Sequence, residues 1–219
     1  SQFTLQSVTA LLAEANQRLQ SLERIRTQFD EAVARLDRYE AEGIVSISDV
    51  VAVIQRAALI RQIGADLDTI AAETGESAAI IALQAEDLEK HVAEIADLVA
   101  LDYQHPRPRK GSSVFRRLDR LEHDDLYSSE EIADVLGLGD LDADAAPRGV
   151  RALSEVPRLP DTVRDAILKR FNTFETLINA SAEQLAEVDG VGEARAETIR
   201  TYLSRRNGVG SIDDAWPTS

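Results

Sequence analysis

Cysteine and methionine are both absent from this 219-residue sequence, and aromatic residues make up only 5% of it. Without cysteine there is no disulfide framework, no thiolate zinc site and no cysteine nucleophile, the usual picture for a cytosolic protein in a reducing compartment. Without methionine, the chain either lost an initiator ahead of Ser1 or was cut from something longer. No basic segment followed by an apolar core opens the sequence, and no uninterrupted apolar run approaches the roughly 20 residues that a bilayer span needs. A soluble, cytoplasmic protein without membrane contact is expected. Hydrophobic residues still make up 44% of the chain, enough to bury a core, and the length suits two domains.

Positive charge is scarce too, the formal net charge being −15. A basic balance is the usual electrostatic footprint of a phosphate binder, so the average argues against nucleic acid. The average hides an uneven distribution: net −10 over residues 1–104, −4 over 105–147, +1 over 148–206 and −2 over 207–219. Only residues 148–206 escape the acidic excess.

What is present is helical periodicity. Val8, Leu11, Leu12, Ala15, Leu19, Leu22, Ile25, Phe29, Val33, Leu36 and Tyr39 recur every three or four positions and predict one long helix, ended by Gly43. Ser46 or Ser48 then caps a second helix carrying Val50, Val53, Ile54, Ala57 and Ile60. After Gly75, the residues Ile80, Ile81, Leu83, Leu88, Val92, Ile95, Leu98 and Leu101 predict a third helix with acidic residues on its outer face. Three long helices joined by short turns make an antiparallel bundle. "QHPRPRKGSS" at 104–113 reads as a linker or exposed loop, with a phosphate-binding arm through Arg107, Arg109 and Lys110 as the alternative. Short helices are expected over 113–122 and 129–137, and the acidic "GDLDADAAPRG" marks a domain boundary.

Beyond that boundary an internal repeat runs at an offset of 32 residues, pairing Leu153, Val156, Leu159, Ile167 and Phe171 with Leu185, Val188, Val191, Ile199 and Leu203. Each copy is a helix, a tight turn and a second helix, and "NTFETLINA" joins them as a connecting helix. In the second copy, "SAEQLAEVDGVGEARAETI", a serine cap opens the first helix and Gly190 and Gly192 flank Val191, which can point into the core. The helix that follows exposes unpaired N–H groups and a partial positive charge, so bare glycine backbone can approach a phosphate. Arg195 lies in its first turn, and small Ala196 lets the helices pack closely. The first copy has Arg158, Pro160 and Arg164 where the second has Gly190, Gly192 and Ala196. Its turn offers less backbone, and Arg158 can substitute a side-chain contact. "NGVGS" at 207–211 has no helix after it and reads as a cap and tail.

Val188, Gly190, Val191, Gly192, Ala196 and Ile199 match the helix-hairpin-helix motif of DNA-binding proteins position by position. Over nearly its whole length the chain resembles the C-terminal part of the bacterial DNA integrity scanning proteins, a family of diadenylate cyclases. "AEANQRLQSLERIRTQFDEAVARLD", "ISDVVAVIQRAALIRQIG" and "VALDYQ" are similar to that family's helical linker, and residues 147–200 to its DNA-binding domain. The family's Asp-Gly-Ala and Arg-His-Arg catalytic motifs do not occur in this sequence.

The resemblance implies an all-α protein: an elongated antiparallel helical spine over 1–147, a tandem helix-hairpin-helix domain over 148–206, and a tail. It implies binding to branched or junction DNA without base specificity through Gly190, Val191, Gly192, Arg195, Arg158 and Arg164. It further implies an N-terminal cyclase domain in the same protein as partner, recombination or repair proteins as associates, an oligomer, and a place at the nucleoid. No catalytic residue and no cofactor is expected of this chain, whereas the full-length relative would need ATP with magnesium or manganese. Rival readings are a helical protein-docking scaffold whose hairpins are only structural, and an independent enzyme. For the latter, His91, His105 and His123 lack metal-ligand spacing and no Glu-x-x-His occurs.

Overall fold

The computed structural model describes residues 2–104 and 113–206, and among these there is no strand. His105, the basic residues Arg107, Arg109 and Lys110, and the Gly208 and Gly210 pair lie outside the described residues. The first helix, α1, is Gln2–Glu42, 41 residues long and so about 60 Å from end to end. It buries Ala15, Leu19, Leu22, Phe29 and Leu36 along one stripe. Gly43 ends it at φ 69, and the Ile44 N–H returns to the Tyr39 carbonyl at 3.0 Å. Ser46 starts α2, Ile47–Thr74, its N–H donating to the Asp49 carboxylate at 3.0 Å. Val50, Val51, Val53, Ile54, Ala57 and Ala58 are all buried, so α2 is apolar around its circumference and forms the centre of the bundle.

The third long helix is instead two. A 3-10 turn at Gly75–Ala78 leads into α3, Ala79–Glu89, and a break at Lys90 and His91 separates it from α4, Val92–Tyr103. His91 takes the left-handed conformation at φ 64. A break frees carbonyls that an intact helix would satisfy internally, and Arg26 of α1 takes them up, donating to Leu88 at 2.6 Å and to Lys90 at 3.0 Å. The packed face runs through Ile81, Ala85 and Leu88 at three- and four-residue steps, so Ile80 and Leu83 do not join it as expected; they are 72% and 65% exposed. Val92, Ala96 and Val99 carry the burial instead.

The helix expected over 113–122 shrinks to a single turn, α5, Phe115–Leu118. Its successor α6, Ser129–Leu136, is capped by Ser128, whose hydroxyl accepts the Glu131 N–H at 3.2 Å. The acidic stretch after α6 is not a free linker. It lies back along the turn between α1 and α2, where Ile47 donates to Ala143 at 2.9 Å, Ser48 to Leu141 at 2.9 Å and Ala145 to Val45 at 2.8 Å.

Five helices follow: α7 Val150–Ser154, α8 Asp161–Arg170, α9 Phe174–Ile178, α10 Ala182–Ala186 and α11 Gly192–Arg206. They enclose a second cluster of buried apolar residues, and the repeat positions supply much of it: Leu153, Val156, Ile167 and Phe171 from one copy, Leu185, Val188, Val191, Ile199 and Leu203 from the other. Leu159 alone of the repeat residues is only half-buried. Leu98 and Leu101 of α4 pack against this cluster, so the bundle supplies one wall of it.

A polar network joins the same surfaces. Asp102, at the end of α4 and fully buried, accepts the N–H groups of Gly149 at 2.8 Å, Val150 at 2.6 Å and Arg151 at 3.0 Å, and so caps α7 from another helix. Burial raises its pKa above the usual aspartate range, while the backbone donors pull the other way. Beside it Glu40 of α1 accepts the Tyr103 hydroxyl at 2.6 Å, Arg151 at 2.8 Å and Arg206 at 3.1 Å. Burial opposes the charge on Arg151, but Glu40 and Asp37 overcome it and its pKa moves upward.

Replacing Asp102 with Ala leaves three buried N–H groups without an acceptor, so denaturant unfolding of Asp102→Ala should show a loss of about 2–4 kcal/mol. Asp102→Asn keeps one carbonyl oxygen for Gly149 and Val150 and sheds the buried charge, so its loss should be less than half as large. Equal losses in the two variants would rule out the capping role.

Candidate nucleic-acid interface

The second hairpin is assembled by local rules. Ser181 caps α10, accepting the Gln184 N–H at 3.2 Å, while the Gln184 side chain accepts the Ser181 N–H at 2.9 Å. The chain then turns through Gly190 at φ 83 and Gly192 at φ 65, a region that L side chains rarely adopt. Both glycines are exposed, whereas Val191 between them is buried. Ala196 is fully buried, and with no side chain beyond Cβ it lets α10 and α11 approach closely. A Cβ on Gly190 would sit 2.9 Å from Val163 of α8, so this turn rests directly on the first hairpin. Around Gly192 nothing lies within 4 Å of such an atom. Arg195 folds back over the turn and donates Nη1 to the Gly190 carbonyl at 2.5 Å.

The first hairpin reproduces the first half of the turn without glycine and departs from it at Pro160. Arg158 takes φ 57, the same left-handed region as Gly190 one repeat later, and its residue is exposed. Pro160 precedes α8 in extended conformation, at φ −63 and ψ 146. Arg164, at the position of Ala196, has a side chain only 18% exposed; it pairs with Asp161 at 3.2 Å, and its Nε is buried without a hydrogen bond among the described residues, 4.0 Å from the Asp165 carboxylate. A guanidinium in place of a methyl group spaces α7 from α8, which touch less than α10 and α11 do. Gly190, Val191, Gly192, Arg195 and Arg158 thus come together on two abutting turns, while Arg164 is drawn inward.

The positive balance of residues 148–206 overstates what faces outward. Arg148 donates to the Leu101 carbonyl at 3.1 Å, Arg151 and Arg206 bind the spine carboxylates, Arg170 pairs with Glu187 at 2.5 Å and Arg200 donates to the Ala180 carbonyl at 2.6 Å. Glu183, Glu187, Glu193 and Glu197 surround an open hollow of about 800 Å³ that reaches Gly192 itself, so the turn borders acidic surface on this side. A polyanion meets repulsion there. Among the described residues no group of three His, Asp or Glu could hold a metal, and no helix is long and apolar enough to cross a membrane. His91 faces Glu94 at 3.5 Å and His123 meets the Gln62 amide.

Comparison with known families places these two regions. Residues 5–143 match the model described as the DisA bacterial checkpoint controller linker region. The chain belongs to the DisA family. Residues 161–211 match the helix-hairpin-helix motif, so the DisA chain carries a linker region followed by a hairpin motif. Relatives include the DNA integrity scanning protein DisA of Streptomyces coelicolor, 36% identical over 209 residues that make up 92% of this chain and 56% of the relative. The same-named proteins of Kineococcus radiotolerans and Symbiobacterium thermophilum are 35% and 33% identical, each match covering 93% of this chain and 58% of the relative. The chain therefore spans somewhat more than half the length of these DisA proteins.

The polar network that ties the DisA hairpins to the spine was not visible in the sequence. Asp37 and Glu40 look like ordinary surface acids of an amphipathic helix, and their arginine partners lie more than 100 residues further along. One signal was available: the apolar start of α7 at Val150 follows Gly149 and has no serine, threonine or aspartate cap, which asks for an acceptor from elsewhere.

The two glycines should respond differently to a methyl group. Gly192→Ala meets only the backbone penalty and should cost about 1 kcal/mol. Gly190→Ala must also displace Val163 and should cost about 2–3 kcal/mol. Chemical denaturation of both variants tests this order, and an equal loss would remove the packing role assigned to Gly190.

Proposed function

We propose that residues 148–206 grip the DNA backbone without reading base sequence, with a preference for branched or junction DNA. The observation that carries this reading is the exposed turn at the head of α11, where Arg195 is already held against the Gly190 carbonyl. Such a turn offers helix N–H groups and a partial positive charge to a phosphate. A guanidinium has five N–H donors, so Arg195 can hold the turn with one and face a phosphate with the rest. Arg158 gives the first hairpin's turn a second cation on a backbone that is left-handed at the same position, and two neighbouring grips suit strands that diverge at a junction. Val191 anchors the turn in the core. Arg164, committed to Asp161, supports the first turn from beneath.

Within the whole protein, synthesis of a cyclic dinucleotide from ATP with magnesium or manganese belongs to a cyclase domain outside the two matched regions, and this part senses DNA on its behalf. The name carried by the relatives, with its reference to scanning DNA integrity, supports that division. DNA binding by this part uses backbone and arginine alone and requires no cofactor.

The test titrates a labelled four-way junction and a linear duplex of equal length with the full chain across several salt concentrations. Affinity should fall as salt rises, and the junction should bind more tightly than the duplex. Arg195→Ala and Arg158→Gly should each weaken binding to every sequence alike and reduce the salt slope by about 1. Arg158→Gly is the cleaner variant, since glycine accepts the left-handed backbone that arginine holds at φ 57. Unchanged binding in both variants would overturn the assignment of the turns.

A further inference from the structure

Along the most acidic part of the chain, one stretch of surface gathers three arginines, only one of them paired in a salt bridge. Where α1 and α2 run beside the segment before α6, Arg24 is exposed and contacts Ser21 Oγ at 3.4 Å, with no carboxylate partner among the described residues. Arg56 donates Nη1 to the Ala52 carbonyl at 3.0 Å, and its Nε is buried without a partner among the described residues. Burial and the neighbouring Arg35 lower its pKa, with Glu31 acting the other way. Arg18 is already neutralised by Glu14 and Asp66, at 2.9 and 2.5 Å. The groove lining sets three arginines against the single carboxylate of Asp66, a local positive excess within a segment of net charge −10 that favours an anion.

These cations border a groove of about 450 Å³, within the usual range of roughly 300–1,000 Å³ for small-ligand sites. Ile25, Leu59 and Ile63 give it apolar lining. Tyr127 closes one side, 60% exposed, with the His123 ring edge-on to it at 5.8 Å. We propose that this groove binds a nucleotide, its phosphates on Arg24 and Arg56 and its base against the apolar lining and the Tyr127 ring. Each part of the site selects against a simpler ligand. Inorganic phosphate would leave the apolar lining and the ring uncovered, and an apolar ring compound would leave the cations unpaired. An extended polyanion would run from the groove onto the surrounding acidic helices, whereas a nucleotide ends where the basic patch ends. The site shares no residue with the hairpin turns, so it stands whether or not those turns bind DNA.

Calorimetric titration of the full chain with ADP tests the proposal, with adenosine and inorganic phosphate as the two part-ligands. ADP should bind at least about tenfold more tightly than either part, because charge-assisted contacts and ring burial act together. Arg24→Ala should weaken ADP about tenfold at unchanged melting temperature, since the side chain is exposed and makes no ion pair. Tyr127→Ala should weaken ADP and leave phosphate alone, and Gly192→Ala should leave ADP untouched. Absence of ADP binding at millimolar concentration, Arg24→Ala binding equal to wild type, or phosphate binding as tight as ADP would each overturn the proposal. Displacement of ADP by duplex DNA in the Arg195→Ala background would also overturn it, since the groove would then be a nucleic-acid surface.

Discussion

Asp102 places both carboxylate oxygens on the first turn of α7, and the position of every later helix follows from that contact. The start of α7 is buried, so its N–H groups cannot turn to water, and no residue of α7 itself supplies an acceptor. The acceptor comes instead from α4, which makes the second unit dependent on the first for a cap. Next to it, Glu40 is satisfied by one hydroxyl and two guanidinium groups, with a side chain only 5% exposed. Burying two neighbouring carboxylates is costly unless cations and donors meet them in fixed geometry. The arrangement therefore defines one docking geometry more than it adds stability.

Much of the fold was legible because its signals are local. The stripe from Leu11 to Tyr39 and the Gly43 stop announce α1, the Ser181 cap and paired glycines announce the second hairpin, and the 32-residue offset announces its partner. The break at Lys90 and His91 was not legible, because neither residue is a helix breaker. What permits it is Arg26, 62 and 64 residues away from the carbonyls it takes up, and sequence periodicity carries no record of such a donor. Ile80 and Leu83 fall outside the packed face because the stripe of α3 runs through Ile81, Ala85 and Leu88. The Gly190, Val191 and Gly192 turn could be read directly, whereas the inward pull on Arg164 depends on Asp161 and Ser154 being within its reach.

The two hairpins solve one backbone problem with different chemistry. Gly190 reaches the left-handed region at no steric cost, and its lack of a side chain is also what admits Val163. Arg158 accepts a conformational cost at the corresponding place and keeps a cation exposed. At the other paired position, Ala196 draws its helices together and Arg164 spaces them. The second hairpin is thus the more tightly built, and the first is the more adaptable surface.

The α11 helix spans 15 residues, about 22 Å, with the glycine turn at its head and Arg206 at its foot. Its foot is held by Asp37, Glu40 and Glu155, two of them on α1. It contains no proline and no internal glycine beyond its first residue, so it has no point at which to flex. Head and foot consequently form the two ends of one stiff lever, with the Arg206 side chain as its only slack. A load applied at the turn would arrive at α1 as torque, with about 50 Å of helix between Asp37 and Gln2 to carry it onward, and no refolding would be needed along the way.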